Sequence, residues 1–375
     1  MPVSGRGAVC RARKGRLVLQ DGAVFPGHSF GALRPAAGEV VFTTGMVGYP
    51  EALTDPSYRG QILVFTYPSL GNYGVPSPGI AGVGAGGTDA LSARPFESDR
   101  IHSSGVVCAS YSQDYSHRTA ALSLGEWLDS QGIPGLTGVD TRALTKRIRT
   151  HGTLLGRIEL DGHPDPDFLD PNQRNLVDEV STRDMVRHGK GGVPVVLIDC
   201  GRKDNQIRML VRLGAEVLVV PWDHDVRGPA RDCAGVVISN GPGDPRLAAK
   251  TIITARSLMR RKVPILGICL GHQILALAAG ARTYKMKFGH RAHNQPCVEA
   301  GSGRCYQTSQ NHGYAVDGTS LPRGWDAWFA NANDGTNEGI RHKNGPWRSV
   351  QFHPEAAPGP TGTEWILEEF LEEIR

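Results

Sequence analysis

The sequence has no Cys-x-x-Cys pair, and its seven cysteines are odd in number and widely spaced. Structural zinc and a disulfide framework are therefore not expected. A reducing, cytoplasmic setting fits this cysteine usage. No apolar run approaches the roughly 20 residues that cross a bilayer, so no membrane association is expected. Residues 1–20 lack the apolar core of a secretory signal. They carry Arg6, Arg11, Arg13, Lys14 and Arg16, with no acid before Asp21. An organelle-targeting tail has this composition, but so does an ordinary basic end, which is the reading preferred. A formal net charge of +4 is small for 375 residues and gives no reason to expect a nucleic-acid partner. The Lys-Ser/Thr of a phosphate loop is missing as well.

What is present is an ordinary globular composition, 39% hydrophobic and 21% charged, long enough for about two domains of roughly 100–200 residues. The first region reads as β-rich. Residues 16–19, 40–43 and 61–66 are strand candidates, and Asp21-Gly22 is a turn pair. Residues 76–95 are rich in Gly, Ala, Ser and Pro and read as a surface loop or poorly ordered insertion. Helices are expected over 120–131, stopped by Gly132, and over 142–151, after the capping pair Asp140-Thr141. The Gly-rich segment 188–192 marks a domain boundary, dividing the chain into 1–190 and 191–375.

Beyond it strands and helices alternate. Strands are expected at 193–199, 216–220, 235–239 and 263–269, and helices at 205–213, 245–262 and 270–279. The fold class is therefore α/β: a mainly parallel sheet covered by helices, preceded by a β-rich N-terminal α/β domain. Residues 365–375 read as an amphipathic helix. Reactive groups in such sheets gather at the carboxyl ends of the strands.

Cys269 stands at such an end, in Gly267-Ile268-Cys269-Leu270-Gly271. The glycines permit a sharp strand-to-helix elbow. The helix N-terminus favours thiolate, and its free N–H groups can hold an oxyanion. From the elbow alone, a buried structural cysteine is an equally good reading. A nucleophilic thiolate needs a base and an orienting carboxylate. Gln351-Phe352-His353-Pro354-Glu355 offers both, with His353 and Glu355 expected on one side of a strand end. Ser239-Asn240-Gly241-Pro242-Gly243-Asp244-Pro245 lies between a strand and a helix, where backbone can approach a ligand closely. His272 and His312 are rival bases, but neither has a carboxylate beside it in sequence, and structural roles are expected for both.

The three motifs S-N-G-P-G-D-P, G-I-C-L-G-H-Q and F-H-P-E, in this order, resemble those of the class I (triad) glutamine amidotransferases. The segment 38–58, which includes Phe42-Thr43-Thr44-Gly45-Met46-Val47-Gly48-Tyr49-Pro50-Glu51, resembles the N-terminal domain of the small subunit of carbamoyl phosphate synthetase. Residues 219–224 and 332–339 look closer to the amidotransferase part of fused pyrimidine-pathway synthetases than to bacterial subunits.

The resemblance implies a nucleophile at Cys269, an acid/base at His353 and its orienter at Glu355. It implies an oxyanion hole from the N–H groups of Gly241 and Leu270. Glutamine would be held by Ser57, Gly241, Gly243, Leu270, Gln273, Asn311, Gly313 and Tyr314, where many relatives have Phe at the last position. No metal or cofactor is implied in this chain. ATP, Mg and bicarbonate would be used by a synthetase partner, either a large subunit or a fused domain.

Overall fold

The computed structural model describes residues 13–77, 91, 94–226, 228 and 232–375. Most of the expected loop over 76–95, and residues 1–12 of the basic opening, lie outside this set.

The first region forms a closed seven-stranded barrel. In spatial order its strands are Lys14–Leu19, Val24–Gly31, Pro134–Thr137, Gly105–Cys108, Gln61–Phe65, Ala36–Thr43 and Leu154–Leu160, which pairs back to the first. Closure leaves no free edge. Leu17, Leu19, Val40, Ile62, Val64, Leu136 and Ile158 form one buried cluster. The helix Thr141–His151 packs Leu144 and Ile148 into it. Asp140 caps that helix by accepting from the Ala143 N–H at 2.9 Å.

The helix expected over 120–131 is shorter than its pattern suggested. Ala120–Leu122 is a strand paired with Val75–Pro76, and the helix runs Leu124–Ser130. Ser123 is the reason: its hydroxyl accepts from the Glu126 N–H while Glu126 Oε2 accepts from the Ser123 N–H at 2.8 Å. This capping box fixes the helix start at Leu124, four residues later than expected.

The second region is built on a ten-stranded sheet. Ala215–Pro221, Val193–Asp199, Gly235–Ile238, Ile265–Ile268 and Trp347–Val350 run parallel to one another in that spatial order. Alternation sorts their side chains between two cores. Val196, Ile198, Val236, Ile238 and Ile265 meet the helices Ala249–Arg260 and Leu270–Ala279. Val195, Leu197, Val217, Val237, Leu266 and Ile268 meet Asp204–Arg212 and Trp365–Glu373. Beyond Trp347–Val350 the sheet continues antiparallel through Asn337–His342, Cys305–Val316, Thr283–Glu299 and Trp325–Asn331. The helix expected over 245–262 begins as a 3₁₀ turn, Pro245–Leu247, capped by Asp244, and becomes α-helical over Ala249–Arg260. Among the described residues no helix is long and apolar enough to cross a membrane.

Candidate active site

Cys269 is the N-cap of the helix Leu270–Ala279, directly after the strand Ile265–Ile268. Its φ of 53° is a conformation that side chains rarely adopt, and it costs of order 1–3 kcal/mol. The neighbours permit this elbow only because they lack side chains: a Cβ on Gly271 would run into the carbonyl of Ile238. The Cys269 N–H donates to the Val350 carbonyl at 2.8 Å, tying the elbow to the next parallel strand. The thiol is buried, with Sγ 3.6 Å from the Asn311 carbonyl oxygen.

His353 and Glu355 do not share a strand. The strand Trp347–Val350 ends first, and the pair sits in a turn closed by the Ala356 N–H on the His353 carbonyl at 3.1 Å. Pro354 suits that turn because it supplies no donor. The turn still brings His353 Nδ1 to 2.7 Å from Glu355 Oε1. Burial opposes charge on both groups, yet each ion favours the other. His353 is raised well above its ordinary pKa by the Glu355 carboxylate, and Glu355 is held well below the usual carboxylate range by His353 and Lys203. The Cys269 thiol also raises His353. His353 Nε2 is buried without a hydrogen bond to any described residue.

Three residues that the motifs did not identify hold Glu355 and the glycine loop. Gln206 Nε2 donates to Glu355 Oε1 at 3.2 Å and to Asn240 Oδ1 at 3.0 Å. Lys203 Nζ lies 3.7 Å from Glu355 Oε1 and donates to the Ala356 carbonyl. Asn240 turns its amide to Ser57 Oγ at 2.9 Å and Asp55 Oδ1 at 3.3 Å. Asp55 Oδ2 accepts from Asn311 Nδ2 at 2.9 Å. Lys203 and Gln206 had a faint signal, since they follow the carboxyl end of Val193–Asp199; Asp55 lies two residues before Ser57 in the segment 38–58.

One cleft between the two regions is lined by Cys269 and by Ser57, Gly241, Gly243, Leu270, Gln273, Asn311, Gly313 and Tyr314. Glu39, Lys285, Phe288 and Arg291 also line it, and sequence reasoning missed them. Gln273 Nε2 donates to the Tyr314 carbonyl at 2.7 Å and to Gln351 Oε1 at 2.9 Å. The Tyr314 hydroxyl donates to Asn172 Oδ1 at 3.3 Å. A phenylalanine would lack that bond.

The rival histidines are engaged elsewhere. Burial pushes His272 down to about 3, and its Nδ1 pairs with Ser349 Oγ at 2.9 Å. His312 is likewise kept neutral by burial; its nitrogens meet the Tyr314 carbonyl at 2.8 Å and Gln310 Oε1 at 3.1 Å. His290, His312 and Glu338 place ligand-type atoms within 4.8 Å of one another. There His290 Nε2 bonds Asp334 at 3.0 Å and its Nδ1 faces Glu338 at 3.2 Å; burial opposes charge on His290, but these carboxylates raise its pKa.

A strand-to-helix cysteine, a turn-borne His–Glu pair and a glycine loop on a parallel sheet define the class, and residues 196–373 match the family model "Glutamine amidotransferase class-I". Residues 17–158 match "Carbamoyl-phosphate synthase small chain, CPSase domain". The chain is 49% identical to the carbamoyl phosphate synthase arginine-specific small chain of Aspergillus oryzae, over 95% of this chain and 79% of that protein. It therefore belongs to the carbamoyl phosphate synthase small-chain family. It is also 49% identical to the multifunctional protein pyr-3 of Neurospora crassa over 96% of this chain, and 51% identical to the multifunctional protein CAD of Squalus acanthias over 95%. It spans 21% and 16% of those proteins respectively.

Proposed function

We propose that this chain hydrolyses the side-chain amide of L-glutamine and supplies the ammonia to a carbamoyl phosphate synthetase serving pyrimidine and arginine synthesis. One observation carries the reading. A cysteine held at a helix N-terminus lies within electrostatic range of an imidazole whose Nδ1 is 2.7 Å from a buried carboxylate.

The chemistry follows from these groups. The Cys269 sulfur adds to the amide carbon, and the oxyanion forms between the N–H groups of Gly241 and Leu270. Protonated His353, stabilised by Glu355, gives its proton to the amide nitrogen as the C–N bond breaks. Ammonia leaves and a γ-glutamyl thioester remains. Water then loses a proton to His353 and adds to the thioester, the C–S bond breaks, and glutamate departs with the thiol restored. Ser57, Gly243, Gln273, Asn311, Gly313 and Tyr314 hold the substrate in the cleft. Ammonia passes through an internal tunnel to the synthetase, a separate chain or a fused domain, which uses ATP, Mg and bicarbonate.

Glutamate release from glutamine, assayed with and without a synthetase, tests the reading. No hydrolysis in either case overturns it, and unchanged hydrolysis by Cys269→Ser protein overturns the assignment of the nucleophile.

A further inference from the structure

The cleft holds two cations, and they are in different circumstances. Lys285 has a carboxylate partner, with Nζ 2.7 Å from Glu39 Oε1. Glu39 is fully engaged, since Oε2 also accepts from Gln61 Nε2 at 2.8 Å and Oε1 from Thr153 Oγ1 at 3.1 Å. Burial opposes its charge, but Lys285 and Arg291 outweigh this and hold its pKa below the ordinary value.

Arg291 is 5% exposed and has no carboxylate within salt-bridge distance among the described residues. Of its five N–H donors, those residues engage one site: Nη1 donates to the Phe288 carbonyl at 2.7 Å. Nε is buried without a partner. Burial lowers the guanidinium's pKa, and the influences that oppose it come from Glu39, Tyr58 and Cys269, so the group lies within electrostatic range of the thiol. The strand Thr283–Glu299 places it directly opposite Asn311. Nη2 lies 3.1 Å from where a Cβ on Gly313 would stand. The bare backbone there leaves the fork uncovered toward the cleft.

A buried guanidinium left this short of partners is costly, and the fork fits a carboxylate bidentately. Glutamine carries a single anionic group, its α-carboxylate. We propose that Arg291 binds the α-carboxylate of glutamine and makes the cleft selective for a free amino acid over its α-amide or a peptide-linked glutamine. This rests on the glutaminase reading and specifies how that site chooses its substrate.

Binding rather than turnover tests it, because binding does not require the chemistry to work. In Cys269→Ser protein, calorimetry should give a Kd for L-glutamine about 100-fold below that for L-glutamine α-amide, the range expected for a desolvated charge pair. Adding Arg291→Met should bring the two Kd values within a few-fold, mainly by weakening L-glutamine. Should the methionine variant fail to fold, Arg291→Lys keeps the charge and loses the fork, and should reduce the ratio about tenfold. Equal affinity of the Cys269→Ser protein for both ligands overturns the inference, as does an unchanged ratio in a folded Arg291 variant. A selective Cys269→Ser protein whose parent releases no glutamate overturns the glutaminase reading and leaves the carboxylate site standing.

Discussion

The two regions contribute to one cleft in different ways. In the second region the topology does the gathering. The parallel strands Val193–Asp199, Gly235–Ile238, Ile265–Ile268 and Trp347–Val350 end on the same side, and Lys203, Asn240, Cys269 and His353 follow those ends. Each group comes from a short contiguous segment. The barrel has no such rule. It offers Glu39 from the strand Ala36–Thr43 and Asp55 and Ser57 from the turn before Gln61–Phe65. Parallel α/β topology thus concentrates reactive groups, whereas the barrel reaches the cleft only through docking.

The comparison is broken most severely at Cys269. Cys269→Ser keeps the elbow but replaces the thiol of the proposed nucleophile with a poorer one. It is expected to lower kcat for glutamate release by at least about 10⁴-fold. Circular dichroism should remain unchanged, and a smaller loss would place the nucleophile elsewhere.

Glu355→Gln should follow, lowering kcat by about 10²- to 10⁴-fold. It removes the carboxylate that raises His353. The His353 proton, the one given to ammonia in the proposed mechanism, is then lost at lower pH, so the alkaline limb of the kcat–pH profile should move toward acid. A limb that stays in place would mean that Glu355 does not control His353. The elbow glycines and the S-N-G-P-G-D-P loop were legible because backbone constraints dictate residue type locally. The His353–Glu355 turn was legible as a pair but not as a geometry, since spacing by two fits a strand and a tight turn alike. Asp55, Lys203, Gln206 and Arg291 were not legible as site residues. Their meaning depends on partners far along the chain, such as Asn311, 256 positions from Asp55, and Asn240, 37 positions from Lys203.

Asp55→Ala tests whether the barrel is an active contributor or a passive base. The substitution strips partners from the Asn311 and Asn240 amides and from the Ser57 N–H, which Asp55 Oδ1 accepts at 2.9 Å. Leaving buried amides unpaired costs about 1–3 kcal/mol each, so KM for glutamine should rise about 10- to 100-fold. The effect on kcat should be smaller, because Cys269, His353 and Glu355 keep their own contacts. An unchanged KM would reduce the barrel to scaffold.

The mildest test lies wholly within the first region, outside the residues that line the cleft. Ser123→Ala removes the hydroxyl half of the capping box that starts Leu124–Ser130. Leu124, Trp127 and Leu128 from this helix are buried against Phe30, Phe96 and Val106. Packing therefore still holds the helix when its cap is gone, and the loss should be about 1 kcal/mol, read as a lower midpoint in urea with an unaltered slope. Glutaminase kinetics should not change. A shift in KM would show that cap stability reaches the cleft, and the division between a topology that gathers reactive groups and a barrel that only docks against them would fail.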